Sequence, residues 1–545
     1  MGYNSIHTGI KIDEAITKVQ DTLAAYFDIG IPGGQGFGVG IIPPAMLPEG
    51  MSLMPGTETP GSDNWGNYKF QDGSIVACTV IHWLKIGTGS NGLDVNVHDV
   101  KPFSHFASET EANTAGYFLP RAFFDGGKIQ QAYFLDKYDC SKNALGTGFI
   151  ASSIKNGLPI STASAHNPIA DLTACAGNYY YEVINAAKAR DGENGVVAGD
   201  PQWFSASKFM FQNQAQLSLA HGQAATSTTH CAWYDPTGAE NYPKGCNNNA
   251  LGDCDDPAIS YISDGYLNCG KTGSGTPFAK TTHNGQNCGT ADLNGNMYKI
   301  SLGVTCIAAT KSIEDITRAN PASVEIAAHG YDTGDQVMLM AIGVGNWAGL
   351  DDKIYAITVV DENNFSLDGV DSTAFDTAYV QGTNAGSITF GNFYAASKDA
   401  AMKDFTSGNT VSTDHWGATG VAAMMEEFAP VFETGYPTNG FTQRLGSGAN
   451  QVFSGDVDGN GAVLRSVGMP INAGGVDTVG INMFGKDYFY QYIRNELCLQ
   501  SCLSWNHTSN AGPWGAYWYL YRSLSGVYVG FRCACYPEKA AIAAI

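Results

Sequence analysis

Seven large aromatic residues fall between positions 505 and 528: Trp505, Trp514, Tyr517, Trp518, Tyr519, Tyr521 and Tyr528. If Tyr517-Trp518-Tyr519-Leu520-Tyr521 is a strand, Tyr517, Tyr519 and Tyr521 share one face, and Trp518 and Leu520 share the other. One core cannot take both faces. The tyrosines are expected outward, because a phenol tolerates water better than an indole or a leucine. Exposed aromatics in number mark a binding surface. The residues expected to form it are Trp505, Asn506, His507, Tyr517, Tyr519, Tyr521 and Tyr528, with Asn and His adding adaptable hydrogen bonds.

Composition limits what can surround this stretch. A chain of 545 residues is expected to hold about two to four domains. Apolar residues make up 44% and charged residues only 15%, enough for real cores, and 66 glycines favour loop-rich structure. The expected class is α+β, mainly β. A formal charge of -22 argues against a nucleic-acid partner, since phosphate binding needs a basic face. No apolar run is long enough for a membrane span, so no membrane insertion is expected. The first residues, MGYNSIHTGIKIDEA, lack a signal peptide's basic and apolar regions. Synthesis in the cytoplasm is the expectation.

Residues 6–25 place Ile12, Ile16, Val19 and Leu23 at helical spacing, a stripe too short to stand without a partner. A Gly/Pro-rich stretch follows from Gly30 to Gly61, then strand-like alternation over Asn67 to Ile86 and Leu93 to Val100. Asp171 to Arg190, Ala206 to Ala220 and His415 to Pro430 read as helices, and residues 237–280 as loop. Ile316 to Ile388 alternates apolar and polar residues between short turns, as a small inserted β-barrel would. The expected organisation is an assembly helix over 1–30 and a β segment over 31–110. A main domain then covers 111–308 with 393–545, interrupted by a barrel over 309–392.

Three separated motifs carry a resemblance. Phe134-Leu135-Asp136-Lys137-Tyr138-Asp139, Asp292-Leu293-Asn294-Gly295-Asn296-Met297-Tyr298 and Gly530-Phe531-Arg532-Cys533-Ala534 appear in this order. They resemble the opening strand, the central turn and the closing strand of the C-type-lectin-like fold of formylglycine-generating enzymes (sulfatase-modifying factors). The resemblance implies structural roles for Asp136, Asn294, Gly295, Asn296, Gly530, Phe531 and Arg532. Asn-Gly-Asn suits left-handed turn conformations, and a late arginine can tie loops to the core. The N-terminal part resembles bacteriophage tail-fibre and tail-tip proteins, and the inserted segment resembles catalytic-cysteine-half-domain-like (FCCH-like) barrels of phage structural proteins. That resemblance implies a virion protein, a homotrimer contacting other tail or baseplate proteins. Its lectin-type surface would bind a host cell-surface receptor, protein or glycan.

An oxidase of the formylglycine-generating type would need a redox cysteine pair upstream of the closing strand. Gly512 to Gly526 holds no cysteine, and Cys498 and Cys502, read on a helix, are the only substitutes. A binder rather than an enzyme is therefore expected, with a purely structural tail subunit as the alternative. The 13 cysteines show no CxxC. A four-thiolate zinc site from Cys498, Cys502, Cys533 and Cys535 has unusual spacing, and buried thiols are the preferred reading. Gly87-Thr88-Gly89-Ser90-Asn91-Gly92 precedes a strand-like run rather than a helix and reads as a turn. Asp456-Val457-Asp458-Gly459-Asn460-Gly461 opens like a calcium loop, but Val467 stands where the bidentate Glu belongs. No cofactor is expected beyond a structural calcium, for which Asp253-Cys254-Asp255-Asp256 is the other acidic turn. His221, His230, Cys231 and Trp233 form the densest histidine group and read as polar loop.

Overall fold

The opening motif becomes the middle of a sheet. Ala132–Asp136 pairs antiparallel with Ile75–Val80 on one side and with Cys533–Cys535, from the closing motif, on the other. Met51–Leu53 and Asn67–Phe70 extend this sheet at one edge, and Phe204–Ser205 ends it at the other. The structure, a computed structural model, describes residues 47–86, 98–145, 147–192, 201–236, 241–246, 249–343, 345–381, 386–407, 424–430, 432, 443–444, 460–469, 484, 487–537 and 541–542. The expected helix over 6–25, the glycine run at 87–92 and residues 456–459 lie outside the described residues.

Against this sheet packs the helix Lys208–Ala224, capped by Ser207, whose hydroxyl accepts from the Met210 amide. Every residue from Lys208 to Gly222 is buried, so its amide side chains need internal partners. Asn213 and Gln214 find them on neighbouring strands, and Gln216 on the Arg465 carbonyl. Asn213 donates to Nε2 of His82 and accepts from the Tyr133 hydroxyl, and Gln214 donates to Tyr133 and Thr79. The expectation of Ala206 to Ala220 thus locates a real helix. Asp171 to Arg190 is helical only over Glu182–Gly192. Asn178 uses its side-chain oxygen to accept from the Ala170 amide, a local bond that competes with helix formation ahead of Tyr180.

A second sheet carries the aromatic stretch. Its order is Gln443–Arg444, Tyr488–Tyr490, Ala516–Tyr521, Leu497–Ser501, Tyr298–Ile300 and Val529–Gly530. Cys498 therefore lies on a strand, with Cys502 immediately after it, and not on the expected helix. Pairing with Ala516–Tyr521 on one side and Tyr298–Ile300 on the other overrides the helix-forming local sequence.

The inserted segment forms a third sheet with its own core, which includes Ile313, Val324, Val337, Trp347, Ile357, Phe365 and Ile388. Among the described residues its strands run from Val304–Ser312 at one end to Asp315–Ile316 at the other, and no pairing joins those ends. The expected barrel is an open sheet. Its long strand Ser387–Ala396 pairs with Val304–Ser312 and also with Met425–Phe428, within the expected helix His415 to Pro430. Met425 and Phe428 are buried there, so a free strand edge has captured an apolar segment.

Residues 241–280 contain no long element among those described, in line with the loop expectation, yet they are packed. Cys246, Ile259, Tyr261 and Cys269 form a small core with Met297 and Trp505. The fold is thus mixed α and β with sheet predominating. No helix among the described residues is long and apolar enough to cross a membrane.

Candidate binding surface

Strand Ala516–Tyr521 divides its side chains by parity. Trp518 is fully buried, its ring 5.7 Å from Phe393 and 5.4 Å from Phe489, with Phe428 and Phe432 at its edges. Tyr517, Tyr519 and Tyr521 sit half-buried on the opposite face. Leu520, expected inward, is also only half-buried, at the end of the strand where its partner carries a bulge between Cys498 and Gln500.

The outward tyrosines join a larger ring assembly. Tyr517 lies 4.4 Å from Tyr490, 5.3 Å from Tyr298 and 5.3 Å from Tyr519, centroid to centroid. Tyr519 meets Tyr492 edge-on at 4.9 Å, and Tyr298 reaches Tyr528 at 5.7 Å. The Arg494 guanidinium lies 4.5 Å from the Tyr492 ring, 5.1 Å from Tyr519 and 5.5 Å from Tyr521. Tyr298, Tyr490 and Tyr492 are buried and Arg494 half-buried; they back the exposed rings and were not among the residues expected here. The run Tyr488-Phe489-Tyr490-Gln491-Tyr492 carried the same two-residue alternation as the C-terminal strand and could have revealed two of them.

The turn Trp505–Asn510 frames one side of the assembly. Asn506 is exposed and His507 half-buried, but Trp505 is 2% exposed and packs in the core formed by the 246–269 loop. Trp505 therefore supports the surface from beneath, with Tyr528 edge-on at 6.1 Å. His507 bonds through Nε2 to the Tyr298 hydroxyl at 2.8 Å, and burial lowers its pKa to about 4, so it is neutral at pH 7. Glu496, Cys502, Leu503 and Thr508 all have positive φ although none is glycine. Such conformations cost of order 1–3 kcal/mol each and persist only where the surroundings enforce them.

The motif residues hold the frame from inside. Arg532 donates to Oδ1 of Asp139 and to the carbonyls of Asp136, Lys137 and Ala291, joining the opening and closing motifs to the central turn. Asp136 accepts from the Cys533 amide at 2.8 Å, on both carboxylate oxygens from Arg190 Nη1, and from the Cys140 thiol. In the turn, Gly295 and Asn296 take positive φ, and Asn294 is buried. The Lys299 ammonium donates to the carbonyls of Asp292, Gly295 and Met297, the work a structural cation does in other loops. Phe531 is buried and its carbonyl accepts from Cys140, while any Cβ at Gly530 would stand 3.0 Å from the Ile160 carbonyl oxygen.

The remaining candidates separate. Cys498, Cys502, Cys533 and Cys535 are all buried, and burial pushes the Cys498, Cys502 and Cys535 thiols up, away from the thiolate form. Asp253 closes its own turn by accepting from the amides of Gly245, Asp255 and Asp256, and burial raises its pKa to about 6. Asn460–Val467 is helical, so the second half of the calcium-like segment is not a ligand loop. His221 is buried with its ring 6.3 Å from His283, whereas Trp233 donates to the Thr282 carbonyl. The chain matches no known family model, and no curated protein shows significant sequence similarity to it.

Proposed function

We propose that this protein recognises a host cell surface from the tip or fibre of a phage tail, through the tyrosine face of its second sheet. The observation carrying this reading is that Tyr517, Tyr519 and Tyr521 occupy the strand face opposite buried Trp518, half-exposed, and that Tyr517 and Tyr519 pack against further rings. Large rings with few rotatable bonds lose little entropy on binding, and a rigid strand holds them better than a loop would. Exposed Asn506 at the rim adds polar contacts. The frame is read as a C-type-lectin-like domain of the formylglycine-generating type, the assembly as a homotrimer joined to other tail or baseplate proteins, and the site of action as the virion. The absence of cysteine from Gly512 to Gly526 favours binding over oxidation.

The test is the triple substitution Tyr517→Ala, Tyr519→Ala, Tyr521→Ala in the intact particle. Loss of host adsorption by about 10-fold or more, a threshold below the cost of removing even one interface hot spot, with normal particle assembly supports recognition. Failed assembly instead assigns these rings to a subunit interface. Normal adsorption with normal assembly removes the surface from either role.

A further inference from the structure

We propose that His166, Asp264 and Cys269 form a zinc site that clamps two loops together beneath the aromatic surface. Their ligand atoms all lie within 4.8 Å of one another. His166 Nδ1 faces the Val527 carbonyl at 2.5 Å, and a carbonyl only accepts, so Nδ1 carries the proton. In the neutral ring, Nε2 is then a lone pair. It faces Oδ2 of Asp264, itself an acceptor, at 2.6 Å. Two acceptors this close require a cation between them. A proton satisfies that pair, while the Cys269 thiol makes only long contacts, 3.6–3.8 Å, with the Gly270 carbonyl, Asn296 Oδ1 and the Met297 sulfur.

The surroundings are built as an outer shell of a metal site is built. The His166 side chain is 1% exposed and the Asp264 side chain 0%. Asp264 is oriented by the Tyr266 amide on Oδ1 and by the Asn167 side chain on Oδ2. The His166 ring stacks on Tyr266 at 4.2 Å and meets the edge of Trp505 at 6.1 Å. A backbone carbonyl on the far ring nitrogen and hydrogen bonds on the ligating carboxylate are what hold first ligands in place. One imidazole, one carboxylate and one thiolate suit zinc, with a fourth position open to water. Calcium and magnesium prefer all-oxygen cages. Loading moves the Cys269 proton to solvent and replaces whatever proton His166 and Asp264 share, so charge balances without any redox partner.

The clamp has a structural consequence. Val527 precedes Tyr528, whose ring touches both Tyr298 and Trp505. Fastening His166 to the 264–269 loop therefore fixes the segment that brings Tyr528 to the surface. Sequence spacing gives no hint of this, because the histidine lies 98 residues from the aspartate.

The full-length chain, stripped with a chelator and reloaded, provides the test. Bound zinc should reach one ion per chain, and X-ray absorption at the zinc edge should show a single sulfur among nitrogen and oxygen ligands. Cobalt(II) in its place should give a sulfur-to-metal charge-transfer band. Cys269→Ser should abolish that band and weaken zinc by about 10-fold or more. Cys498→Ser, at a buried thiol elsewhere, should change neither. Asp264→Asn should weaken zinc while leaving the cobalt–sulfur band detectable. A chain that retains no zinc, a zinc edge without sulfur, or a Cys269→Ser variant that binds as before overturns the proposal and leaves a proton-held His–Asp pair.

Discussion

Two parts of the molecule both set arginine against aromatic rings, yet they use these groups differently. In the interior, Arg532 makes hydrogen bonds to Asp139 and three carbonyls, and Arg190 is held by Asp72, Asp136 and the face of Trp203 at 3.5 Å. Asp139 Oδ2, which accepts no hydrogen bond, has the Lys299 ammonium at 3.5 Å. On the tyrosine face, Arg494 rests on three rings and Tyr519 and Tyr521 remain half-exposed. The inner set has its chemistry satisfied by folding, and the outer set keeps contact area in reserve. That difference separates a structural motif from a binding surface better than composition does.

Breaking the inner set should have the largest effect. Arg532→Ala leaves the buried Asp139 carboxylate without its strongest donor and takes a donor from three carbonyls, at a cost of about 3–5 kcal/mol. Urea unfolding measures it. Arg532→Lys should recover little, since one ammonium cannot span acceptors in the opening motif and at Ala291 together. The tyrosine triple substitution should unfold with a much smaller loss, because those rings are only half-buried. Equal losses would erase the contrast.

Acid should weaken both regions through their buried histidines. Burial lowers the pKa of His82 to about 4 against the opposing pull of the Val80 carbonyl, and its Nε2 accepts from Asn213, so protonation sets two donors against each other. The unfolded chain takes up this proton near pH 6.5 and the folded chain only near 4. Stability is therefore complete above about 6.5 and falls as the pH drops toward 4, on the order of 3 kcal/mol from His82 alone. His98 and His507, each lowered to about 4 by burial, act in the same direction. Urea midpoints at pH 7.5, 5.5 and 4.5 should decline in order. His82→Gln should start lower and decline less steeply, and an unchanged slope would show that this network does not set acid stability.

The sequence displayed the parity of Tyr517, Trp518, Tyr519 and Tyr521 because strand alternation has a fixed period and needs no partner to be read. It displayed the Lys208–Ala224 helix but not why Asn213 and Gln214 could be buried, since Tyr133, Thr79 and His82 lie on distant strands. Trp505 looked like a surface ring because the loop that covers it is more than 200 residues earlier and has no pattern of its own. Cys498 was read on a helix because Glu-Leu-Cys-Leu-Gln is a good local helix former, and two flanking strands outweigh that preference. Sheet closure was illegible for a related reason: alternation specifies a face, not which edges meet.

The smallest effect is the sharpest probe of the outer set. Arg494 over the rings of Tyr492, Tyr519 and Tyr521 is a cation–π contact at a partly exposed site, worth about 0.5–1 kcal/mol. A double-mutant cycle of Arg494→Met with Tyr519→Ala isolates that coupling in the free protein. The same cycle read as host adsorption should give a larger coupling than the unfolding cycle does. A guanidinium that only braces its neighbours contributes equally to both, whereas one that also meets the receptor contributes more to adsorption. If the two couplings agree, Arg494 belongs with Arg532, and the surface ends at the tyrosines.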